Sequence, residues 1–249
     1  MTQLTRRDFA HGTIGSLLTF SLLETLFRAD AFAQEVKPIT AKWLAELHQL
    51  GQDVRGEKLK QVEWQGKTEE LFKQVDLPEL LKFIDFEKLE REAEFKELGE
   101  KSYRAKFPGV EGLPTQLVFG HQVFALKKDR SVAPHGHDNM ATAFLILKGD
   151  FHGRHFDRLE DHKDHYIIKP TIDDRFSVGG VSTVTDHKDN VHWFTATSET
   201  AFIFNIHVMN VVQGKTSGRV YVDPKGEKLA DGTIRARKLG HVEAHKLYG

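Results

Sequence analysis

The chain has 249 residues, with 35 lysines and arginines against 36 acidic residues, and no cysteine. A hydrophobic share of 39% sustains a folded core, and the near-neutral charge excludes nucleic-acid binding driven by net charge. The missing thiols exclude disulfide scaffolds, zinc ribbons, thiol nucleophiles and cysteine-ligated iron–sulfur clusters, so a metal has only the 14 histidines and oxygen ligands to bind.

The first elements in chain order form an address. Thr5-Arg6-Arg7-Asp8-Phe9 precedes a short apolar stretch from Ile14 to Leu23, and Ala31-Phe32-Ala33 follows. A charged start, a short apolar run and an A-x-A site predict an export signal over residues 1–33, cleaved after Ala33. The apolar run is about half of what a spanning helix needs. No cysteine follows it to carry a lipid, so no stable membrane anchor is expected. The Thr-Arg-Arg-x-Phe order resembles the twin-arginine (Tat) class of signals, which implies the Tat export machinery as a partner and the periplasm, or secretion, as destination. An amphipathic helix docked on the body is the alternative.

Residues 34–110 read as a helical N-terminal region. Apolar residues recur at helical spacing: Trp43, Leu44, Leu47 and Leu50, then Leu71, Phe72 and Val75, then Leu80, Leu81, Ile84 and Leu89. Thr40 is placed as an N-cap. Asp76-Leu77-Pro78-Glu79 combines a cap residue, a proline in the first turn and an acid three positions on. Gly51, Gly56 and Gly66 are expected to divide the region into pieces. The helices read as a cover packed on the main domain, with a partner-binding module as the alternative.

Over residues 111–249 the period changes to two. Leu117-Val118-Phe119, Val123 to Leu126, Phe144 to Leu147, Val181 to Val184, Ala201 to Val208, Val220 to Val222 and Thr233 to Arg235 are short strand-like runs. Turn signals separate them, among them Lys148-Gly149-Asp150, Gly179-Gly180 and Asp223-Pro224-Lys225-Gly226. The pattern predicts a mainly β sandwich or barrel.

Ten of the 14 histidines fall between His121 and His207. The sharpest group is Pro134-His135-Gly136-His137, because residues i and i+2 of a strand share a face and present two imidazoles side by side. Far downstream, Asn190-Val191-His192-Trp193-Phe194 opens another strand. His162 and His165 sit in a charged loop and read as solvated. His121 is left open between barrel lining and solvent. His152 and His155 share a strand but not a face, so at most one lines the interior. Arg154, Arg158 and Arg175 are candidates for a substrate carboxylate, with surface ion pairs as the default.

The stretch from Pro134 to Gly149, with His192 downstream, resembles the cupin superfamily. That implies a double-stranded β-helix, or jelly-roll barrel, over residues 111–249. Thr142 stands where the family's glutamate ligand would fall, so the resemblance is to the three-histidine type. Within it, Pro134, His135, His137, Met140, Gly149, Asn190, His192 and Phe194 match in order the thiol dioxygenases of the cysteamine and N-terminal-cysteine branch. Phe204 and Asn205 stand where that branch often carries an acid. The resemblance implies His135, His137 and His192 as ligands of a divalent metal, Fe(II) first, with Mn, Zn, Ni and Cu as the alternatives imidazole also suits. It implies a small-molecule thiol and O2 as substrates, a sulfinate as product, and a homodimer by analogy. His207, Tyr166 and His155 are candidates for assisting proton movement. A non-catalytic metal- or small-ligand-binding cupin of the cell envelope is the alternative from another class, and a Zn or Mn isomerase or hydrolase a third.

Overall fold

A computed structural model describes residues 38–105 and 107–249; the export segment expected over residues 1–33 lies outside the described residues. The strand pairing defines the architecture. Strands β2 (Gly120–Lys127), β3 (Ser131–Asp138), β4 (Met140–Lys148) and β5 (Phe151–Asp161) run out, and β6 (His165–Phe176), β7 (Val181–Val184), β8 (Val191–Ala196) and β9 (Thr200–Met209) run back. β5 pairs with β6, β4 with β7, β3 with β8 and β2 with β9, all antiparallel. Successive pairs alternate between two sheets, and the pairings β4–β9 and β5–β8 close the wrap. This is a long hairpin wound on itself: a cupin-like double-stranded β-helix, as expected.

Four short strands extend it. β1 (Lys101–Tyr103) joins β2, while β10 (Gly218–Val222), β11 (Glu227–Lys228) and β12 (Ile234–Leu239) extend the second sheet. β10 pairs with both β3 and β12. β1 lies inside the region that reads as helical in the sequence.

The alternation within β9 shows how one strand serves two layers. Ala201 and Ile203 point into the barrel with Phe124, Phe144 and Ile146. Phe202, Phe204, Ile206 and Val208 point outward, under helices α1 (Pro38–Arg55), α2 (Gln61–Lys73), α3 (Leu77–Phe83) and α4 (Phe86–Arg91). Trp43, Leu47, Trp64, Phe72 and Phe86 fill that outer core. A strand covered on both faces reads as a near-continuous apolar run, and β9 is buried from Ala201 to Ile206 with Asn205 as the polar residue of that span. The helical layer is a cover on the barrel.

Several local expectations need correction. Asp76 does cap α3, accepting the Glu79 backbone N–H at 3.3 Å. Thr40 is not a cap: it is buried inside α1. Gly51 and Gly66 do not end helices, and only Gly56 follows a helix end. Gly51 has a packing role, since a Cβ there would stand 2.6 Å from Val118 Cγ1. The Leu117–Phe119 run, expected as a strand, is irregular backbone under α1. At the turn after β4, Gly149 takes φ +72°, and a Cβ would meet the Thr200 carbonyl at 2.6 Å. Helix α5 (His241–Tyr248), absent from the sequence expectations, packs Ala244 and Tyr248 on Ala133 and Trp193. No helix among the described residues is long and apolar enough to cross a membrane.

Candidate metal centre

β3 and β8 are antiparallel neighbours, with His135 directly opposite His192 and a register irregularity between Val132 and His135. His137 follows on the same face of β3. All three side chains turn inward, and none is more than 4% exposed. Their ligand atoms lie within 4.8 Å of one another. His137 Nε2 is 3.0 Å from His135 Nε2 and 3.4 Å from His192 Nε2. Two nitrogens bound at metal–nitrogen lengths near 2.1 Å stand about 3.0–3.4 Å apart for tetrahedral to octahedral angles, so the two spacings from His137 match a shared ion.

The outward nitrogens support the same reading. His135 Nδ1–H donates to the Ala133 carbonyl at 2.8 Å, which fixes the tautomer and leaves a free lone pair on Nε2. His137 Nδ1 meets Thr142 Oγ1 at 3.1 Å and has the same Nε2 free when Nδ1 carries the proton. Thr142 therefore orients His137, a frequent arrangement around metal-binding histidines. His192 Nδ1 is buried without a hydrogen-bond partner among the described residues. Burial pushes the His135 imidazole down to about 3, and burial with neighbouring positive charge holds His137 and His192 well below the ordinary range. Three neutral imidazoles presenting lone pairs to one point are the donor set of a divalent transition metal.

His155 lies across from His192 on the next strand, β5, so His135, His192 and His155 form a row over three strands. It is fully buried, its Nε2 is 3.1 Å from Ser182 Oγ, and burial lowers its pKa to about 3. It is a neighbour of the triad and not part of the convergent group. His207 is the cross-strand neighbour of Thr142 and is pushed down to about 4, chiefly by burial. Tyr166 is removed from the proton-transfer candidates. It packs with Val191 and Ile168, and its ring lies against Gly136 where a Cβ would project, on the face of β3 opposite the triad.

The remaining candidates are bystanders. Arg158 pairs with Asp138, Arg175 with Asp150 at 2.9 Å, and Arg154 stacks on Trp193 at 4.2 Å. His162 and His165 stack on each other and pair with Glu160 and Asp164 at the β5–β6 turn. His152 is paired with Asp173. His121 is stacked on Phe107 at 3.8 Å, with Nε2 2.9 Å from the Ala105 carbonyl. Sequence reasoning missed Tyr221 and Arg219. β10 sets Tyr221 opposite His135, with rings 5.5 Å apart, and Arg219 opposite His137. Their signal is the β10–β3 register, which no local motif encodes.

A groove of about 1180 Å³ is lined by Arg104, Phe107, His121, Gln122 and His207, not by the triad. Its floor and the triad are linked through one layer of side chains. His207 stands beside Thr142, and Thr142 contacts His137. Gly120 lets the floor close, since a Cβ there would come within 2.4 Å of His207 Nε2.

No protein-family model matches the chain, nor does any curated protein. Among solved structures, a Klebsiella pneumoniae protein described as having a double-stranded β-helix domain is similar at 10% identity, covering 53% of this chain and 87% of its own, with TM-score 0.36. The TT1209 protein of Thermus thermophilus is similar at 12% identity, over 49% and 93%, with TM-score 0.35. Procruciferin, an 11S globulin from Brassica napus, is similar at 13% identity with TM-score 0.33; 42% of this chain and 23% of the globulin are covered.

The geometry is testable at Thr142 and in acid. Thr142→Val removes the partner of His137 Nδ1, and metal affinity measured by calorimetric titration should fall about 10- to 100-fold; an unchanged affinity would contradict the orienting role. In acid, His155 and His207 stay neutral in the folded chain down to about 3 and about 4, whereas the unfolded chain protonates them near 6.5. The unfolded state therefore binds more protons as the pH drops below that value. Each such imidazole should remove about 1.4 kcal/mol of stability per pH unit below its unfolded pKa. Urea unfolding of the metal-free protein between neutral pH and pH 5 should show that loss; a flat profile would contradict the buried neutral imidazoles.

Proposed function

We propose that the chain is a metal-binding cupin that uses Fe(II) as an oxygenase of thiol-dioxygenase type. The observation that carries this reading is the convergence of three neutral, buried imidazoles with no carboxylate among them. Such a set leaves a divalent ion its full charge and open positions for substrates. Bound Fe(II) would supply the redox chemistry for O2 and favour the thiolate form of a thiol. The overall change is RSH + O2 → RSO2H, in which sulfur loses four electrons to the two oxygen atoms it receives. His135, His137 and His192 would hold the ion, with Thr142 and the Ala133 carbonyl fixing two of the rings. Phe144 and Phe194 pack around His192 and exclude water from that side. Beyond the triad, the His155 ring lies 6.3 Å from that of His192, centroid to centroid, and His207 stands one layer off. These are the groups placed to hold or pass a proton. Mn, Zn, Ni and Cu suit the same donors. We also propose export through the twin-arginine route, resting on Arg6, Arg7 and the Ala31-Phe32-Ala33 site.

One observation favours a second reading. The triad is almost wholly buried and does not line the groove over His121 and His207, which suits a metal- or small-ligand-binding protein without catalysis. Oxygen uptake separates the two. The mature chain, purified anaerobically and shown to hold iron, is offered cysteine, cysteamine, 3-mercaptopropionate and a peptide beginning with cysteine. The oxygenase reading expects uptake matched mole for mole by sulfinate with at least one of them. An iron-loaded sample that takes up no oxygen with any thiol contradicts it and leaves the binding reading.

A further inference from the structure

We propose that the helical layer is a working part of the metal centre: the side-chain amides of Gln61 and Gln65 in α2 hold the Thr185–Asn190 loop, and through it the position of His137. The inference rests on the metal-binding reading and assigns it positioning residues that lie outside the barrel.

The connection runs through buried hydrogen bonds. Gln65 is 1% exposed, although it projects from a helix made mostly of charged and polar residues. Its Oε1 accepts Thr185 Oγ1–H at 2.8 Å, and its Nε2 donates to the Thr183 carbonyl at 3.1 Å. Gln61, one turn earlier on the same helix, clamps the next residue of the loop from both ends. Its Oε1 accepts the Asp186 backbone N–H at 2.9 Å, and its Nε2 donates to Asp186 Oδ2 at 3.0 Å. Glu69 adds a third anchor, accepting Thr183 Oγ1–H at 2.5 Å.

The loop passes this restraint to the ligand strand through Asn190, which is 1% exposed. The two N–H groups of its amide donate to the Thr185 carbonyl at 2.9 Å and to the His137 carbonyl at 2.7 Å. Thr185 is thus held by α2 on its side-chain oxygen and holds Asn190 by its carbonyl. From Gln65 to His137 the path is three hydrogen bonds long. The same loop ends where β8 begins, two residues before His192. One loop therefore sets the backbone of one ligand and the launch point of another. A cover that only shielded apolar surface would not need a pair of amides committing their hydrogen-bonding capacity to one loop. Truncating Gln65 would strand the buried Thr183 and Thr185, the situation that costs most in a low-dielectric interior, and truncating Gln61 would release the half-buried Asp186.

Co(II) binding to the whole mature chain tests this, with affinity and visible ligand-field bands as readouts. Gln65→Ala and Gln61→Ala are compared with Leu47→Ala, which damages the helix core without touching the loop; thermal melting ranks the three for stability. The proposal expects about a tenfold weaker affinity and altered bands in the glutamine variants, in the range seen for outer-sphere partners of metal ligands, with wild-type affinity in Leu47→Ala at equal or greater loss of melting temperature. If Gln65→Ala does not fold, Gln61→Ala at the start of the helix carries the comparison. Glutamine variants that bind Co(II) like the wild type, or no worse than Leu47→Ala, overturn the proposal while leaving the metal centre standing. A wild type that binds no Co(II) overturns both.

Discussion

Everything at the centre depends on the register between β3 and β8. Antiparallel pairing puts His135 opposite His192, and the two-residue period of β3 returns His137 to the same face. A slip by one residue would turn His192 toward the outer layer and bring Val191 or Trp193 into the barrel. Gly136, between the two histidines, lets the opposite face of β3 close. A Cβ there would lie 2.7 Å from Asn190 Oδ1 and 3.3 Å from the Tyr166 ring. The His-Gly-His order is thus a ligand pair on one face and a required gap on the other.

Burial then determines the chemistry. Removing three imidazoles from water disfavours their charged forms and leaves lone pairs available at neutral pH. Thr142 adds no charge to the donor set, and its hydroxyl meets His137 Nδ1 and orients that ring. The two outward hydrogen bonds, to the Ala133 carbonyl and to Thr142, direct Nε2 of both β3 ligands to a common point. The helices carry Gln61 and Gln65 to the loop that leads into β8, so outer layer and centre share one hydrogen-bonded framework.

Much of this was legible in the sequence, for identifiable reasons. Same-face geometry at i and i+2 makes His135 and His137 a pair, and the resemblance to three-histidine cupins adds His192; the structure joins all three. The strand runs were visible where both faces are apolar, as in β4 and β9. The failures have physical causes as well. Gly51 and Gly66 look like helix breakers, yet both lie within helices, and Gly51 is there because α1 sits tightly on Val118. Leu117–Phe119 carries a strand's composition but pairs with no strand among the described residues and serves as an apolar floor under α1. Tyr166 reads in the sequence as close to the chemistry, but it lies on the far side of β3. Tyr221 and Arg219 reach the centre only through strand pairing between segments more than eighty residues apart, which no local pattern reports.

What remains decisive is whether the three imidazoles carry a metal in the protein as the cell makes it. Elemental analysis of the natively produced chain, purified without added metal or chelator, addresses this directly. About one equivalent of a divalent transition metal per chain is predicted, lost when His137 is replaced by alanine. A folded wild-type chain that is free of metal would contradict the metal centre on which the functional reading stands.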